Sequence, residues 1–171
     1  MTLLDVENLD VHFRVKRGLF GGGSYTVRAV NDVSFTIDAG ETLGIVGESG
    51  SGKSTVGRAL LRLVDATAGR IQLDGKEVTQ LTGRMLDFRR DLQVIFQDPY
   101  SSLNPSMVIG ATIGEPLGLH QGLTGADRER RVAELLDQVG LPADASSRYP
   151  SEFSGGQRQR IAIARALALE P

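Results

Sequence analysis

The chain has 171 residues, of which 40% are hydrophobic, so we expect one domain with a real core and room for a subdomain. A formal net charge of −2 argues against a nucleic-acid surface, and the lack of cysteine excludes disulfides, thiolate metal sites and iron–sulfur clusters. The chain shows neither a signal-peptide core nor a run of about 18 apolar residues. We therefore expect a soluble, cytoplasmic chain that would rely on partner subunits for any membrane span.

The first third of the chain predicts a small β layer. Leu3–Phe13 and Val27–Ile37 alternate as strands do, and the glycine-rich stretch Arg14–Ser24 between them is predicted as a loop. Ile71–Leu73, followed by Asp74-Gly75, predicts a further strand and a tight turn.

The string G-E-S-G-S-G-K-S at Gly47–Ser54 has the spacing of a phosphate-binding loop. Such a loop needs glycine because its N–H groups turn inward and some positions take positive φ. Thr42–Val46 is predicted as a short buried strand before it, and Ser54–Leu63 as a helix whose N-terminus adds a positive dipole end. Lys53 is placed to reach the β- and γ-phosphates, and the Ser54 hydroxyl to bind Mg²⁺.

The middle of the chain changes from strand to helix. Leu92–Phe96 predicts a second buried strand, and Tyr100–Pro105 a loop. Met107–His120 is predicted as a helix interrupted by glycine and proline.

The last third predicts two more helices. Thr124 and Asp127 resemble a capping box that opens the first of them, and Gln157–Leu169 forms the second. The first helix carries an apolar stripe that indicates ordinary core packing: Val132, Leu135, Leu136 and Val139.

A second motif, S-G-G-Q at Ser154–Gln157, leads directly into the helical string Arg158–Leu167. The four residues alone are a weak signal, but after a phosphate loop they make the whole chain resemble the ATP-binding-cassette (ABC) family. The strings Val94–Pro105 and Tyr149–Phe153 are similar to those of ATPase subunits of peptide importers, the dipeptide, oligopeptide and nickel uptake systems.

The resemblance implies an α/β fold: a P-loop NTPase core of RecA-like type, an antiparallel β subdomain and a helical subdomain, with the C-terminal part of the core missing. Residues 1–97 are expected to form the nucleotide-binding core with the β subdomain. Residues 98–157 are expected to form the helical subdomain, and residues 158–171 a helix that returns to the core.

The resemblance also implies roles for individual residues. Lys53 and Gln97 are the expected catalytic residues, and Ser54 and Gln97 the expected Mg²⁺ contacts. An aromatic residue near the start, Phe13 or Tyr25, is expected to stack on adenine. The loop expected to hold the ATP phosphates comprises Gly47, Glu48, Ser49, Gly50, Ser51, Gly52, Lys53, Ser54 and Thr55. The residues expected to contact the γ-phosphate of ATP held by a facing subunit are Ser154, Gly155, Gly156 and Gln157.

The implied partners are a second cassette in a head-to-tail dimer, transmembrane permease subunits that Ser106–Gln121 would face, and indirectly an extracytoplasmic solute-binding protein. No nucleic acid is expected. The chain would lie peripherally on the inner face of the cell membrane. The solute stays open among dipeptides, oligopeptides, nickel and glutathione.

The chain departs from the family at Pro171, where a strand with an Mg²⁺-binding aspartate and a water-activating glutamate should follow, and later a switch histidine. His12 and His120 do not match that position. We therefore expect a fragment of a longer ATPase that alone hydrolyses ATP far below the family norm, with apolar faces of Leu92–Phe96 and of the last helix partly uncovered. The alternatives are a non-hydrolysing nucleotide-binding regulatory module and a soluble ABC ATPase not tied to transport.

Overall fold

The computed structural model describes residues 1–17, 22–80, 85–98 and 102–171. The chain divides into two compact units, Met1–Arg84 and Met85–Pro171. Residues 18–21, within the predicted loop Arg14–Ser24, and residues 99–101, at the start of the predicted loop Tyr100–Pro105, lie outside the described residues. The domain boundaries predicted at residues 97 and 157 stay predictions.

The first unit contains an antiparallel four-stranded sheet in the order β2-β1-β3-β4. Its strands are β1 Thr2–Arg17, β2 Gly22–Asp38, β3 Ala68–Leu73 and β4 Lys76–Glu77. The predicted β layer is confirmed, including the turn between β3 and β4, where Asp74 and Gly75 have φ of 50° and 70°. The loop predicted at Arg14–Ser24 is too long, because β1 and β2 continue pairing to Arg17 and Gly22. The ladder is made by backbone groups, so polar side chains do not end it.

A bulge in β1 keeps the buried side of the strand in phase. Leu4 and Val6 are buried, and so are Leu9 and Val11, although the spacing between the two pairs breaks the two-residue period of a strand. Asn8 has a φ of 48°, and the register with β2 shifts between Val6 and Leu9. The extra residue therefore returns the second pair to the core face.

Helix α1, Lys53–Leu60, contacts β1 and β2 and buries Val56 and Ala59. The helix predicted at Ser54–Leu63 ends three residues early. Arg62 has a left-handed φ of 54°, which a right-handed helix cannot include.

Two predicted buried strands are absent from the part of the chain that the structure describes. Thr42–Val46 and Leu92–Phe96 are not strands, and Val46 is 92% exposed. A central strand of a parallel sheet is buried only when neighbouring strands flank it and helices cover both faces, and no described strand pairs with either segment. The expectation of uncovered apolar side chains in Leu92–Phe96 is confirmed, since Ile95 and Phe96 are exposed.

The second unit is helical. Its α-helices are α2 Met85–Asp91, α3 Ile109–Gln121, α4 Gly125–Gln138 and α5 Gly155–Leu167, and its 3₁₀ turns are Ala143–Ser147 and Pro150–Glu152. Helix α3 is continuous through Pro116 and ends at Gly122, which takes a left-handed conformation. In the described ranges, no helix is both long enough and apolar enough to cross a lipid bilayer.

The helical unit has its own hydrophobic core, built from α3, α4, α5 and the segments around them. The stripe predicted on α4 is confirmed: Leu135 and Leu136 are fully buried and Val132 is nearly so. The capping box predicted at Thr124 is wrong. The Thr124 side chain makes no cap hydrogen bond, and the Asp127 carboxylate instead pairs with Arg130.

Replacing a core leucine of α4 should destabilise the protein strongly. Leu135→Ala is expected to lower the free energy of unfolding by about 2–5 kcal/mol, because it removes fully buried methyl groups and leaves a cavity. The control Leu119→Ala removes the same atoms from a side chain that is 67% exposed, and should cost less than about 0.5 kcal/mol. Urea unfolding of both variants measures the difference, and equal costs would contradict this description of the core.

Candidate functional site

The glycine-rich loop, Gly47–Gly52, turns tightly before α1. The Ser51 N–H donates to the Glu48 carbonyl oxygen at 3.2 Å, and Gly50 and Gly52 have φ of 85° and 94°. These are left-handed conformations that glycine adopts without a steric penalty. The loop therefore has the positive φ angles at glycine that the sequence pattern predicts.

Lys53 folds back into this loop. Its Nζ donates to the carbonyl oxygens of Gly47 at 2.8 Å and Glu48 at 2.5 Å, and to the Ser51 Oγ at 3.3 Å. A lysine ammonium has three N–H donors, so all three have acceptors within the loop. The loop therefore encloses a positive charge that an anionic oxygen could share or take over from the carbonyls.

The N-terminus of α1 lies at the end of the same loop. Its N-cap is Gly52, which has no side chain to cap the helix, and the Gly52 carbonyl oxygen accepts from the N–H groups of Thr55 and Val56 at 2.9 Å. The N–H groups of Lys53 and Ser54 precede Thr55, the first residue whose N–H donates within the helix, so they have no intrahelical acceptor. With the helix dipole, they make this end of α1 suited to an anion. The Ser54 side chain is exposed beside them.

Gly52 also has a packing reason to be glycine. A Cβ at this position would lie 2.2 Å from the carbonyl oxygen of Ala29 on β2, far inside van der Waals contact. The start of α1 can therefore approach the sheet only because this residue has no side chain. This contact is not readable from the spacing of the motif.

Phe13 and Tyr25, the two candidates for stacking on adenine, share one face of the β1–β2 hairpin. Phe13 lies opposite Val27 and Tyr25 opposite Val15, with regular register between these pairs. Side chains of directly opposed residues point to the same side. Phe13, Tyr25 and Val27 are all exposed, and the guanidinium carbon of Arg17 lies 5.9 Å from the centre of the Tyr25 ring. The structure brings the two alternatives together as diagonal neighbours on one exposed apolar face.

Ser154–Gln157, the signature segment, forms the start of α5. The Ser154 Oγ accepts from the Gln157 N–H at 3.3 Å, and the Gln157 Oε1 accepts from the Ser154 N–H at 2.9 Å. This reciprocal pair is a capping box. The sequence interpretation missed it, although a serine followed by glutamine three residues later is the signal for one.

Capping leaves part of the signature segment able to bind. The Ser154 hydroxyl accepts a hydrogen bond and still has a proton to donate. The N–H groups of Gly155 and Gly156 lie in the first turn of α5, before Arg158, whose N–H donates to the Ser154 carbonyl oxygen, so they have no intrahelical acceptor. Ser154, Gly156 and Gln157 are exposed. The start of α5 therefore resembles the start of α1 in presenting donors to an anion.

Gln97 lies in the helical unit, as does α5, the helix that begins with the signature segment. Gln97 is exposed in an irregular stretch after Phe96. Farther along, Arg165 of α5 donates its Nη1 to the Ser102 carbonyl oxygen at 2.8 Å. Burial lowers the pKa of the Arg165 guanidinium, and the Glu115 carboxylate opposes that shift. Sequence patterns gave no indication of this contact, which ties α5 to the chain that follows the glutamine.

The α/β fold and the glycine-rich loop at the start of α1 are typical of the P-loop class of proteins. A family model described as ABC transporter matches residues 30–171, so the chain belongs to the ABC transporter family.

Several curated relatives match nearly the whole chain. It is 54% identical to the glutathione import ATP-binding protein GsiA of Escherichia coli over 99% of this chain and 27% of that protein. It is 51% identical to a probable peptide ABC transporter ATP-binding protein of Sinorhizobium fredii, over 99% of this chain and 48% of that one. The chain thus spans about a quarter to a half of these curated relatives.

Solved structures agree with the fold. The dimeric ATP-binding cassette MJ0796, in a post-hydrolysis state bound to ADP and Pi, superimposes with a TM-score of 0.82 at 30% identity. That match covers 99% of this chain and 71% of the other. The cbiO1 protein of Clostridium perfringens, part of the ABC transporter complex cbiONQ, superimposes with a TM-score of 0.76 at 26% identity. That match covers 99% of this chain and 62% of the other.

Adding one methyl group to the glycine-rich loop should disrupt it. Gly52→Ala is expected to lower the free energy of unfolding by about 1–3 kcal/mol, because alanine is strained at this φ and its Cβ would meet the Ala29 carbonyl. Gly57→Ala is the matched control inside α1, where a Cβ meets nothing within 4 Å. It should leave stability unchanged or raise it by up to about 1 kcal/mol. Denaturant unfolding compares the two, and an equal effect would contradict the close approach to β2.

Removing the Ser154 hydroxyl should loosen the start of α5. Ser154→Ala is expected to cost about 0.5–2 kcal/mol and to speed amide hydrogen exchange at Gln157, whose N–H loses its acceptor. Ser154→Thr keeps an oxygen in the same place and should stay close to the parent protein. Unchanged exchange at Gln157 in the alanine variant would show that the capping box does not hold this turn.

Proposed function

We propose that the protein is the ATP-binding subunit of an ABC importer, which couples the binding and hydrolysis of ATP to the uptake of peptides, glutathione or nickel. The observation that carries this proposal is the glycine-rich loop closed around Lys53 at the N-terminus of α1. The similarity to relatives named for peptide and glutathione import supports the transport role.

In this proposal the loop binds phosphate by exchanging partners. Lys53 Nζ, held in the loop by the Gly47 and Glu48 carbonyls, turns to the β- and γ-phosphate oxygens of ATP. The N–H groups of the loop and of the first turn of α1 donate to the same phosphates. Because nucleotide binding replaces internal hydrogen bonds rather than adding to unpaired groups, its affinity depends on the difference between the two sets.

The exposed Ser54 hydroxyl at the start of α1 is a suitable ligand for Mg²⁺, a hard cation that prefers oxygen. Mg²⁺ would neutralise phosphate charge during transfer of the γ-phosphate to water. Gln97 is proposed to act on the same ion or on the attacking water, and to report to the permease.

The adenine ring is proposed to stack on the apolar face of the hairpin that carries Phe13 and Tyr25. Both rings are exposed, so either can offer a flat surface to a base without rearrangement of the core. The nearby Arg17 adds positive charge to that face.

The signature segment is proposed to close the γ-phosphate of ATP bound to a second cassette, which gives a head-to-tail dimer. Ser154 would donate its hydroxyl proton, and Gly155 and Gly156 their N–H groups, to the phosphate oxygens. ATP would then join the two cassettes and hydrolysis would let them part, which permease subunits and a solute-binding protein would convert into uptake. The protein would act at the inner face of the cell membrane.

Lys53→Ala tests the proposal. Hydrogen bonds to a charged group contribute about 1.5–3 kcal/mol, so the loss of the ammonium should weaken ATP binding by roughly 10- to 150-fold. Lys76→Ala removes the same charge from an exposed position on β4 and is the control. Binding is measured by equilibrium titration with ATP and Mg²⁺, and equal affinities of the two variants would overturn the assignment.

The same two substitutions, made in the gene of the natural source and returned to cells that lack that gene, test the transport role. The parent and Lys76→Ala should restore uptake of labelled glutathione, a dipeptide or nickel, and Lys53→Ala should not. The solute whose uptake returns identifies the substrate class. If the parent restores uptake of none of the three solutes, that result would argue against the importer role. The nucleotide-binding result would remain intact.

A further inference from the structure

Arg148 contacts both residues that directly precede the signature segment. Its Nη2 donates to the Glu152 carbonyl oxygen at 3.0 Å, and its guanidinium carbon lies 4.4 Å from the centre of the Phe153 ring. Its Nε also lies 3.5 Å from the Glu152 Oε1. One planar side chain therefore contacts a backbone carbonyl, an aromatic ring and a carboxylate immediately before Ser154.

These contacts are anchored to the rest of the helical unit. Phe153 is buried and belongs to the hydrophobic core. The Arg148 carbonyl oxygen accepts from the N–H of Ile109, the first residue of α3, at 2.9 Å. The second carboxylate oxygen of Glu152 accepts from the Tyr149 N–H at 2.6 Å, which closes the turn between Arg148 and Phe153.

The other side of the turn is held in the same way. Arg158, in the first turn of α5, donates its Nε to the Phe153 carbonyl oxygen at 2.9 Å. The last two carbonyls before Ser154, those of Glu152 and Phe153, are thus each fixed by an arginine. Arg148 in addition stacks on the buried Phe153 ring.

We propose that Arg148 is a positioning residue for the signature segment: it fixes the direction in which the Ser154 hydroxyl and the first N–H groups of α5 face. This inference rests on the proposed function, in which those groups meet ATP on a second cassette. An arginine is required because a guanidinium can stack on a ring through its face and donate from its edge at the same time, which an ammonium cannot do.

The exposure of the Arg148 side chain distinguishes a positioning role from a purely stabilising one. The side chains of Arg148 and Glu152 are 39% and 46% exposed, and ion pairs at such positions contribute little to folding. The function of catalytic and binding groups depends far more on their exact position than folding stability does, because a misplacement of about 1 Å can cost roughly 100-fold in rate. Loss of Arg148 should therefore affect ATP-driven association much more than stability.

The test compares Arg148→Met and Arg148→Lys with Arg130→Met. Each substitution is introduced into the gene of the natural source, and the resulting protein is purified. Arg130 also pairs with a nearby carboxylate, that of Asp127, but lies exposed on α4 and serves as the control. Both Arg148 variants should keep the parent's single-site affinity for ATP within about twofold and lose about tenfold or more in ATP-driven association of two cassettes. Their melting temperatures should fall by less than about 4 °C.

Glu152→Gln is a second, milder variant. It keeps the Glu152 carbonyl and an acceptor for the Tyr149 N–H but removes the negative charge. It should associate as the parent does, because the stacking on Phe153 and the bond to the carbonyl remain. Association of the Arg148 variants equal to that of the parent, or weakened only in proportion to a large fall in melting temperature, would overturn the proposal.

Amide hydrogen exchange without nucleotide separates this inference from the proposed function. Arg148→Met should speed exchange at Ser154 and Gln157 and leave the core residue Ile161 unchanged, whether or not ATP joins two cassettes. Unchanged exchange at Ser154 and Gln157 would overturn the positioning role. A parent protein that binds ATP but never associates would instead overturn the proposed dimer.

Discussion

The first N–H groups of an α-helix have no partner within the helix, and both candidate binding segments are built on this constraint. At α1 the cap is Gly52, which supplies no side chain to accept from these donors, and the adjacent Lys53 ammonium binds the loop that precedes the cap. At α5 the cap is Ser154, whose hydroxyl oxygen accepts from the Gln157 N–H, while the N–H groups of Gly155 and Gly156 have no acceptor within the helix. First-turn N–H groups without an intrahelical acceptor therefore occur at both segments, beside a lysine at α1 and beside a hydroxyl at α5.

Each of these segments depends on a different core. The start of α1 approaches β2 through the missing side chain of Gly52, and α1 buries Val56 and Ala59. The start of α5 is held by a buried phenylalanine, Phe153, and by arginines that bind the carbonyls before it. Rigid packing in each unit thus fixes the local direction of the donors, which is what recognition of an anion requires.

The polar side chains of both segments already have partners within the chain. Lys53 is bound by loop carbonyls, and Ser154 and Gln157 are bound to each other. An intramolecular hydrogen bond contributes about 0.5–1.5 kcal/mol net, so these internal bonds stabilise the chain when no ligand is bound. A phosphate at Ser154 would replace a neutral hydrogen bond by charge-assisted ones, which are roughly twice as strong, and at Lys53 it would pair the ammonium with an opposite charge.

The sequence by itself predicted the β layer, the turn at Asp74-Gly75, the apolar stripe of α4 and the glycine-rich loop. These features follow from local rules: side-chain period, the conformational freedom of glycine and fixed motif spacing. The same local reading predicted strands at Thr42–Val46 and Leu92–Phe96, where the structure has none. A run of apolar residues forms a strand only when another strand supplies its hydrogen bonds, and no local pattern reports that.

Only the tertiary structure decided how the candidate site is held in place. It brought Ala29 against Gly52, placed Phe13 and Tyr25 on one face of a hairpin, and set Arg148 over the Phe153 ring. These contacts join residues by the path of the backbone in space and by the fit of one side chain on another. Composition, periodicity and motif spacing describe neighbours along the chain, so they could name the binding loop and the signature segment but not the residues that support them.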